Sequence, residues 1–399
     1  MAVAGERYRG LAYRKAAGTF RVPRAVKDIA FTPAAEALER DHHLNSFGDF
    51  YAPDPGMQTF DGSFQADINA NTFADMGDLL EGGIGELQAS STLVFNGAGT
   101  NNDSEFAFSS GSPDPIVKIT TASGSFIVPV DSDTGGQATF GVKLPTGQVP
   151  TNAQNGNQVS GGCFNYILGT SAQLYELELD RRTRPNEVVF NATTAGCYGI
   201  NYIFERGQRL GFSYNIRAGA FTKSSSASVN ISDPAKYSTP FIAFQGDFIL
   251  EPASTPVPLT QVERIKTLSF SIAPDLINET ATKGLDGSGT VLSGSDITGY
   301  TRMALDIRPN IVIKDPTFSL YAAWENGTPY KLFGVHYPGA PGSSTIPSNR
   351  MAFYMHRIVQ SKEPQEVIVD GAVAFDTEWV AERDTTLTGK SKFHLAFFN

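Results

Sequence analysis

DGSFQADINANTFADMGDLLEGGIG, at Asp61–Gly85, is the stretch that decides the fold. It begins as an alternating strand and continues as a helix near Thr72. Later in the chain, Gly299–Thr328 (GYTRMALDIRPNIVIKDPTFSLYAAWENGT) presents the same signals in the same order, with its helix near Thr317. Two copies of one β-rich unit predict an internal duplication, and such units bury their apolar faces against neighbouring copies.

The strands around the two copies also match in sequence. In each copy the strand before the helix ends in a similar tripeptide, Ala66–Ile68 (ADI) or Leu305–Ile307 (LDI). An earlier strand is predicted at Val26–Thr32 (VKDIAFT), and its counterpart at Ile265–Ile272 (IKTLSFSI). Aligning the tripeptides leaves a gap of about six residues between strand and helix in the second copy.

The two helices carry comparable start and stop signals. Asn71 is predicted to cap the first helix and Gly82-Gly83 to end it. Asp315 is predicted to cap the second, with Pro316 at its first position. The predicted apolar faces are Phe73, Met76, Leu79 and Leu80 in the first helix, and Phe318, Tyr321 and Trp324 in the second.

Composition favours many short strands. The chain of 399 residues contains 39 Gly, 23 Pro, 28 Phe and 14 Tyr, which is typical of strands joined by turns. The net charge of −10, with no basic tract, argues against tight nucleic-acid binding through phosphate neutralisation. It leaves open a surface past which nucleic acid slides. No apolar run reaches the roughly 18 residues of a membrane helix, and the N-terminus lacks the apolar core of a secretory signal.

We therefore predict a mainly β protein with two tandem β-sandwich or barrel domains, each with one short flanking helix. The predicted parts are an N-terminal arm at 1–25, a first domain at 26–221 with an inserted β-lobe or long loops at 88–162, a linker at 222–240, and a second domain at 241–399. The basic arm is expected to bind an acidic surface on a neighbouring subunit, and the insertion is expected to protrude or contact a stacked ring.

Alternating patterns mark further strands. In the first half they lie at Gln173–Asp180, Glu187–Asn191, Cys197–Glu205 and Leu210–Ala218; in the second half at Arg350–Arg357, Glu366–Val369, Val373–Val380 and Phe393–Phe398.

This order of elements resembles the tail tube proteins of long-tailed (siphovirus-type) phages, in the form where one chain carries two tube domains. Three segments carry the resemblance: Gly62–Gly85, the hairpin Gly196–Phe221 (GCYGINYIFERGQRLGFSYNIRAGAF), and the restart Ile265–Leu276 (IKTLSFSIAPDL) after a linker strand at Phe244–Leu250. It covers most of the chain outside 88–162.

The resemblance implies a structural virion protein rather than an enzyme. Three copies would form a pseudo-hexameric ring, and stacked rings would form a hollow tube for DNA ejection. The implied partners are other copies of the chain, a tape-measure protein, tail terminator and distal tail proteins, and DNA passing through without specific binding, with no membrane. The implied locations are the phage tail and, during assembly, the host cytoplasm.

The residues suggest no catalytic, cofactor-binding or metal site, and no cofactor is expected. The motifs HExxH, GxSxG and GxxxxGK[ST] are absent from the sequence. Cys163 and Cys197 are too few for a structural zinc site; they could form one disulfide, and a pair of buried thiols is favoured. The histidines are expected at the surface or an interface. They are His42, His43, His336, His356 and His394.

Three other patterns have a functional and a structural interpretation. Asp131–Gly136 faintly resembles a calcium loop, and a turn with solvated carboxylates is favoured because ligands are missing. The acidic run at Glu176–Asp180 places three carboxylates on one strand face, as a glycosidase pair or, as we favour, a polar face. Trp324 and Trp379 are predicted anchors in the core or at a subunit interface.

Other functions remain open at this point. A tail-tip, distal tail or baseplate ring component is close in kind to a tube subunit. A glycan-binding adhesin would use the Gly-, Asn- and Ser-rich insertion as its site. A β-sandwich hydrolase is disfavoured because no nucleophile and base pattern emerges.

Overall fold

A computed structural model gives the fold. It describes residues 7–15, 17–24, 26–38, 54–87, 93–95, 105–110, 115–121, 124–134, 136–146, 155–156, 163–165, 174–182, 187–205, 207–219, 221–224, 230–231, 240–254, 256–258, 265–280, 284–285, 291–292, 297–315, 319–338, 350–383 and 392–398. The described residues are mainly β, as predicted, with two helices.

The first half of the chain contains one helix and sixteen of the described strands. It begins with β1 Arg7–Lys15, β2 Val26–Leu38, β3 Asp54–Asp67, α1 Thr72–Ile84 and β4 Glu86–Leu87. The insertion lobe follows, with β5 Leu93–Phe95, β6 Glu105–Ser110, β7 Ile116–Thr121, β8 Gly124–Thr134, β9 Gln137–Phe140, β10 Val142–Lys143 and β11 Asn155–Gly156. Next are β12 Cys163–Asn165, β13 Tyr175–Arg182, β14 Glu187–Glu205, β15 Gly211–Ala218 and β16 Phe221–Ser224.

The second half contains the other helix. It begins with β17 Phe241–Pro252, β18 Val257–Pro258, β19 Ile265–Thr280, β20 Gly284–Leu285, β21 Val291–Leu292, β22 Ile297–Ile307, β23 Asn310–Ile313 and α2 Ser319–Glu325. It ends with β24 Tyr330–Pro338, β25 Arg350–Gln360, β26 Gln365–Val369, β27 Ala372–Ala381 and β28 His394–Phe398.

The same order of strand pairing occurs twice. In the first set, β1, β13, β14, β15, β3 and β2 pair in that order, all antiparallel. In the second set, β17, β24, β25, β27, β23 and β19 pair in that order, also antiparallel. Strand β26 continues the line of β25 and pairs with β27. The duplication predicted from the sequence is therefore present in the order in which the strands pair.

The register of the two sets corrects the alignment of the tripeptides. One row across the first set reads Val26, Ala66, Phe212 and Tyr202. The corresponding row in the second set reads Ile265, Ile313, Phe375 and Glu366. The counterpart of Ala66 is thus Ile313 and not Leu305.

Leu305–Ile307 belongs to an earlier part of its hairpin, where Ile307 lies opposite Ile272. In the first set that place is taken by Phe60, opposite Pro33. With this register, strand and helix follow each other closely in both copies, and the six-residue gap disappears. Each tripeptide stands at the end of a strand with the same alternating pattern, and aligning them on that basis gave the wrong register.

Residues 7–15 of the predicted N-terminal arm form a strand of the sheet. Strand β1 pairs with β13 over its whole length, and Leu11 and Tyr13 are buried in the main core. Its basic residues do bind an acidic surface, but that surface is on the same chain. Lys15 pairs with Glu81 at 3.0 Å. The strand was not predicted because its short run of apolar residues lies among many charged ones.

Basic residues just after β1 reinforce this attachment. Arg21 pairs with Asp78 at 3.2 Å, and Arg24 with Asp75 at 3.3 Å, both on helix α1. The Arg21 guanidinium also donates to the Ala74 carbonyl oxygen at 2.8 Å. The described part of 1–25 is therefore held to the chain's own helix.

The described strands of the insertion lobe pack on the second strand set of the same chain, although the lobe was expected to protrude or to contact a stacked ring. Strands β5, β6, β7, β8, β9 and β11 form a separate sheet, and β10 pairs with β18. Buried lobe residues such as Val128 and Phe140 share an apolar cluster with Phe333 and Phe398 of the second set. Strands β24, β25 and β28 are accordingly buried on both faces.

Helix α1 runs through the glycines that were predicted to stop it. It continues to Ile84, and Gly85 lies beyond its end at a φ of 148°. A Cβ on Gly82 would lie 2.1 Å from Tyr175 Oη, and one on Gly83 would lie 2.5 Å from Ile200 Cδ1. The glycines therefore allow close packing of the helix on the sheet rather than ending it.

We expect Gly83→Ala to lower the free energy of unfolding by about 1–3 kcal/mol, because the added methyl overpacks a filled site. Gly77→Ala, in the same helix, is the matched control. Its Cβ would meet the nearest ring carbon of Phe73 at 3.4 Å, an ordinary contact. Higher helix propensity should make that variant neutral or up to about 1 kcal/mol more stable. Urea unfolding of both variants tests the expectation, and equal stabilities would contradict it.

The second helix is capped as predicted but buries a different face. The Leu320 amide donates to Asp315 Oδ2 at 2.8 Å. Leu320 and Ala323 are the buried residues of α2, whereas Tyr321 and Trp324 are half-buried. The described part of α2 begins at Ser319, and the predicted helix residues Pro316 and Phe318 lie outside the described residues.

The predicted linker begins inside a strand. Phe221–Ser224 pairs with β14 as strand β16, so the first set extends past the predicted boundary at 221. Within 222–240, the other described residues are Asn230, Ile231 and Pro240. Asn230 donates to Glu178 Oε1 at 2.6 Å, which ties this segment to β13.

Candidate assembly surface

The two strand sets share one continuous sheet. Four strands from each set follow one another in the order β2, β3, β15, β14, β19, β23, β27 and β26. We call these strands the joined sheet. Its centre is the contact between β14 of the first set and β19 of the second, so the two copies meet edge to edge.

The joint between the sets is antiparallel and aromatic. On its core side, Tyr202 lies opposite Phe270 and Phe204 lies opposite Leu268. The rings of Tyr202 and Phe270 stack with centroids 4.7 Å apart. Tyr202 also shares a hydrogen bond of 2.5 Å with His336 Nε2. This joint combines main-chain pairing with buried aromatic contacts, which together stabilise sheet edges.

The joined sheet ends at strands β2 and β26. Among the described strands, β2 pairs only with β3, and β26 pairs only with β27. Near the tip of the β26–β27 hairpin, Ile368 is 80% exposed and Val373 is 57% exposed. Unpaired edges with exposed apolar residues are templates for pairing with another chain, and native proteins normally blunt them.

The face of the joined sheet that points away from the core is polar. Strand β15 shows the alternation clearly, with Phe212, Tyr214 and Ile216 buried and Ser213 and Asn215 on the other face. The same face carries Ser269 and Ser271 on β19 and Asn310 on β23. Small polar side chains thus line much of it.

Charges on this polar face are mostly paired. Asp67 contacts Lys27 at 2.9 Å and Arg209 at 3.2 Å. Arg217 contacts Asp61 at 3.1 Å. Because the ion pairs cancel locally, this part of the face lacks the uncompensated basic stripe that holds nucleic-acid phosphates.

The histidines of the second half are buried, which corrects the expectation of surface positions. His336, His356 and His394 are at most 4% exposed. His336 lies among the rings of Phe204, Phe248 and Phe353. Sequence alone does not reveal this, because these histidines lie in strands that the insertion lobe and joint cover on both faces.

The rings of His356 and His394 meet at right angles, 5.1 Å apart. His42 and His43 lie outside the described residues.

The structure describes the side chains of one of the two cysteines and of both tryptophans. Cys197 is a reduced and buried cysteine near Gly83. Cys163 lies in β12, and its side chain is outside the described part of the structure. Trp379 is fully buried, as expected for a core anchor, and its ring nitrogen donates to Thr377 Oγ1 at 2.8 Å. Trp324 is half-buried beside Tyr321.

Asp131 does not lie in a solvated turn. It belongs to strand β8 of the insertion lobe, and its carboxylate lies 3.4 Å from the ammonium of Lys331. It also accepts a hydrogen bond from the Tyr354 hydroxyl. In the described part of the chain, no group of three or more His, Cys, Asp or Glu residues is arranged to hold a metal ion.

Two of the three acids predicted to share one face of β13 form a polar face, whereas Asp180 is buried. Leu177 and Leu179 point into the core, so Glu176 and Glu178 share the opposite face. Glu176 pairs with Arg14 at 2.5 Å, and Glu178 accepts the hydrogen bond from Asn230. These carboxylates hold β1 and the 230–231 segment to the sheet.

The chain matches no family model, and no curated protein is significantly similar to it. Neither described helix is long and apolar enough to cross a membrane.

Proposed function

We propose that this protein is the tail tube subunit of a long-tailed phage, with two tandem tube domains in one chain. Three copies form a pseudo-hexameric ring, and stacked rings form the hollow conduit for DNA ejection. The proposal treats the chain as a structural virion protein and not as an enzyme. It rests on the sequence resemblance together with the joined sheet.

The observation that carries the proposal is the edge-to-edge joint of the two strand sets. A chain that already places two like units side by side through β14 and β19 needs only the same rotation again to add a third. Head-to-tail contacts of this type close into a ring when the rotation fits. Six units from three chains would then line one central opening.

The polar face of the joined sheet suits the lumen of such a ring. Ion pairs such as Arg217 with Asp61 neutralise its charges locally. The whole chain carries a net charge of −10. A wall with few uncompensated cations would let DNA pass without binding it, because phosphate contacts dominate nucleic-acid affinity.

The proposed partners follow from this role. They are further copies of the chain, a tape-measure protein inside the tube, tail terminator and distal tail proteins at its ends, and DNA in transit. The proposed locations are the phage tail and, during assembly, the host cytoplasm. A tail-tip or baseplate ring component would use the same joint. The docked insertion lobe gives the adhesin alternative no added support, because lobe residues such as Phe140 are buried against the second set.

Negative-stain electron microscopy of the purified full-length chain, with its mass by light scattering, tests the proposal. We expect rings or tubes whose smallest closed species has three times the chain mass of 42.9 kDa. A species of 42.9 kDa that stays monomeric at high concentration would contradict the proposed function.

A further inference from the structure

Equivalent positions in the two strand sets differ sharply in exposure. Phe204 follows Tyr202 by two residues on β14, and Ile368 follows Glu366 by two on β26, so the register makes Phe204 and Ile368 equivalent. Phe204 is 4% exposed, because the second set covers it, whereas Ile368 is 80% exposed. Among the described strands, the chain supplies a partner for β14, the edge of its first set, and none beyond β27 for β26, the edge of its second set.

Strand β2 resembles β19, the strand that pairs with β14, and is therefore a suitable partner for β26. It is equivalent to β19 residue by residue, with VKDIAF at 26–31 matching IKTLSF at 265–270. Both strands carry a one-residue bulge near their start, between Lys27 and Ala30 in β2 and between Ile265 and Thr267 in β19. The bulges lie at slightly different positions, but beyond them the strands share one register, with Ala30 opposite Ser63 and Ser269 opposite the equivalent Asn310.

We propose that β26 of one copy pairs antiparallel with β2 of a second copy, repeating the β14–β19 joint between chains. Because Phe204 lies opposite Leu268 within the chain, the equivalent contact places Ile368 opposite Ile29 of the next copy. This inference rests on the proposed function, and it assigns the contact that closes the ring to named residues.

The residues on both edges suit this contact. Ile29 and Val26 are only partly buried and pack at the border of the main core, so Ile368 of another copy completes an existing apolar surface. In the joint within the chain, Tyr202 meets His336. The register puts Glu366 at the position of Tyr202, opposite Phe31 of the next copy.

Substitution at the open edge provides the first test. Ile368→Asp places a charge at the predicted contact, and we expect this full-length variant to remain monomeric under conditions where the unaltered chain forms rings. Ile203→Asp is the matched control, because Ile203 is 43% exposed on β14 but points to the polar face. That variant should still form rings. Equal far-ultraviolet circular dichroism and melting of both variants establish that they are folded.

Thiol cross-linking provides the second test, and it does not depend on ring stability. The double variant Ile368→Cys with Ile29→Cys is oxidised and run on a denaturing gel. We expect covalent species up to a trimer, since a closed head-to-tail ring contains three chains. Ile368→Cys with Thr32→Cys is shifted in register and should cross-link far less. Each single-cysteine variant reports the background from Cys163 and Cys197.

The outcomes separate this inference from the proposed function. Rings in Ile368→Asp, with no cross-link between positions 368 and 29, would overturn the edge pairing and leave a tube subunit with another contact. If the unaltered chain forms no rings, the proposed function fails and the cross-link alone decides the pairing. Cross-linked oligomers would then support it, and their absence would overturn it.

Discussion

Replacing Tyr13 by alanine is expected to lower the free energy of unfolding by about 3–5 kcal/mol. The Tyr13 ring is fully buried, and its hydroxyl donates to the Asp75 carbonyl oxygen at 2.5 Å. It also meets the Tyr175 ring edge to face, with centroids 6.2 Å apart. Burial raises the pKa of the Tyr13 hydroxyl well above its ordinary value, so the group stays neutral. Urea unfolding at neutral pH measures the loss.

Arg14→Ala is the matched control for this prediction. Arg14 is the next residue, faces away from the core, and pairs with Glu176 at a partly exposed site. Such pairs contribute less than about 1 kcal/mol, so this variant should unfold near the unaltered protein. If residues 7–15 acted as an arm that binds a neighbouring subunit, Tyr13→Ala would leave unfolding of the monomer unchanged and weaken only assembly. That result would contradict the strand described here.

Replacing Asp131 by asparagine is expected to destabilise the protein by about 3 kcal/mol, because the buried Lys331 ammonium loses the carboxylate that hydrogen-bonds to it and keeps only the weaker attraction of Glu251. Lys331 is 1% exposed, and the Asp131 carboxylate lies 3.4 Å from its Nζ. Tyr354, which hydrogen-bonds to the same carboxylate, adds a second link between the insertion lobe and the second set. We therefore expect the variant to expose the lobe to limited proteolysis as well as to lower the unfolding midpoint.

Lys331→Met distinguishes the charge effect from packing. Methionine fills a similar volume without a charge, and Asp131 is 24% exposed and can be hydrated. This variant should thus be closer in stability to the unaltered protein than Asp131→Asn is. If the two substitutions cost the same, the buried ammonium is not what the carboxylate compensates.

The same pair predicts a dependence on pH. Burial lowers the pKa of Lys331 below its ordinary 10.5, and the Asp131 carboxylate opposes this shift. Between the lowered pKa and 10.5, the unfolded chain binds more protons at this site than the folded chain, so stability contributed here rises with pH. Asp131→Asn removes the larger of the two opposing charges, that of Glu251 being the other, and should make that rise larger, whereas Lys331→Met should abolish it. Unfolding curves at neutral and alkaline pH measure the difference.

Local patterns predicted the elements whose signals are contained in a few neighbouring residues. Alternation predicted the strand at 210–218, and the structure has it at Gly211–Ala218. A single acidic residue predicted the cap of α2, and Asp315 does accept a hydrogen bond from the amide of Leu320, the second residue of that helix. These succeed because side-chain direction along a strand and capping at a helix start depend on residues within a turn or two. The cap prediction for α1 holds only in part, because Asn71 lies at the N-cap position but its side chain makes no capping hydrogen bond.

Features that depend on distant residues were missed or wrong. Gly82 and Gly83 have the sequence of a helix stop, but Tyr175 and Ile200 approach so closely that glycine is needed within the helix. The histidines at 336, 356 and 394 were predicted at the surface or an interface, yet the insertion lobe and the joint bury them. Nothing close to these residues in sequence indicates those contacts.

The sequence by itself determined that this protein is mainly β, that one strand and helix pattern occurs twice, and where many strands begin and end. Only the tertiary structure decided that residues 7–15 complete the first set, that the insertion lobe covers the second, and that β14 pairs with β19. The physical reason is the distance along the sequence over which each interaction acts. Alternation and capping are local, whereas pairing partners and covered faces depend on which surfaces meet when the whole chain excludes water.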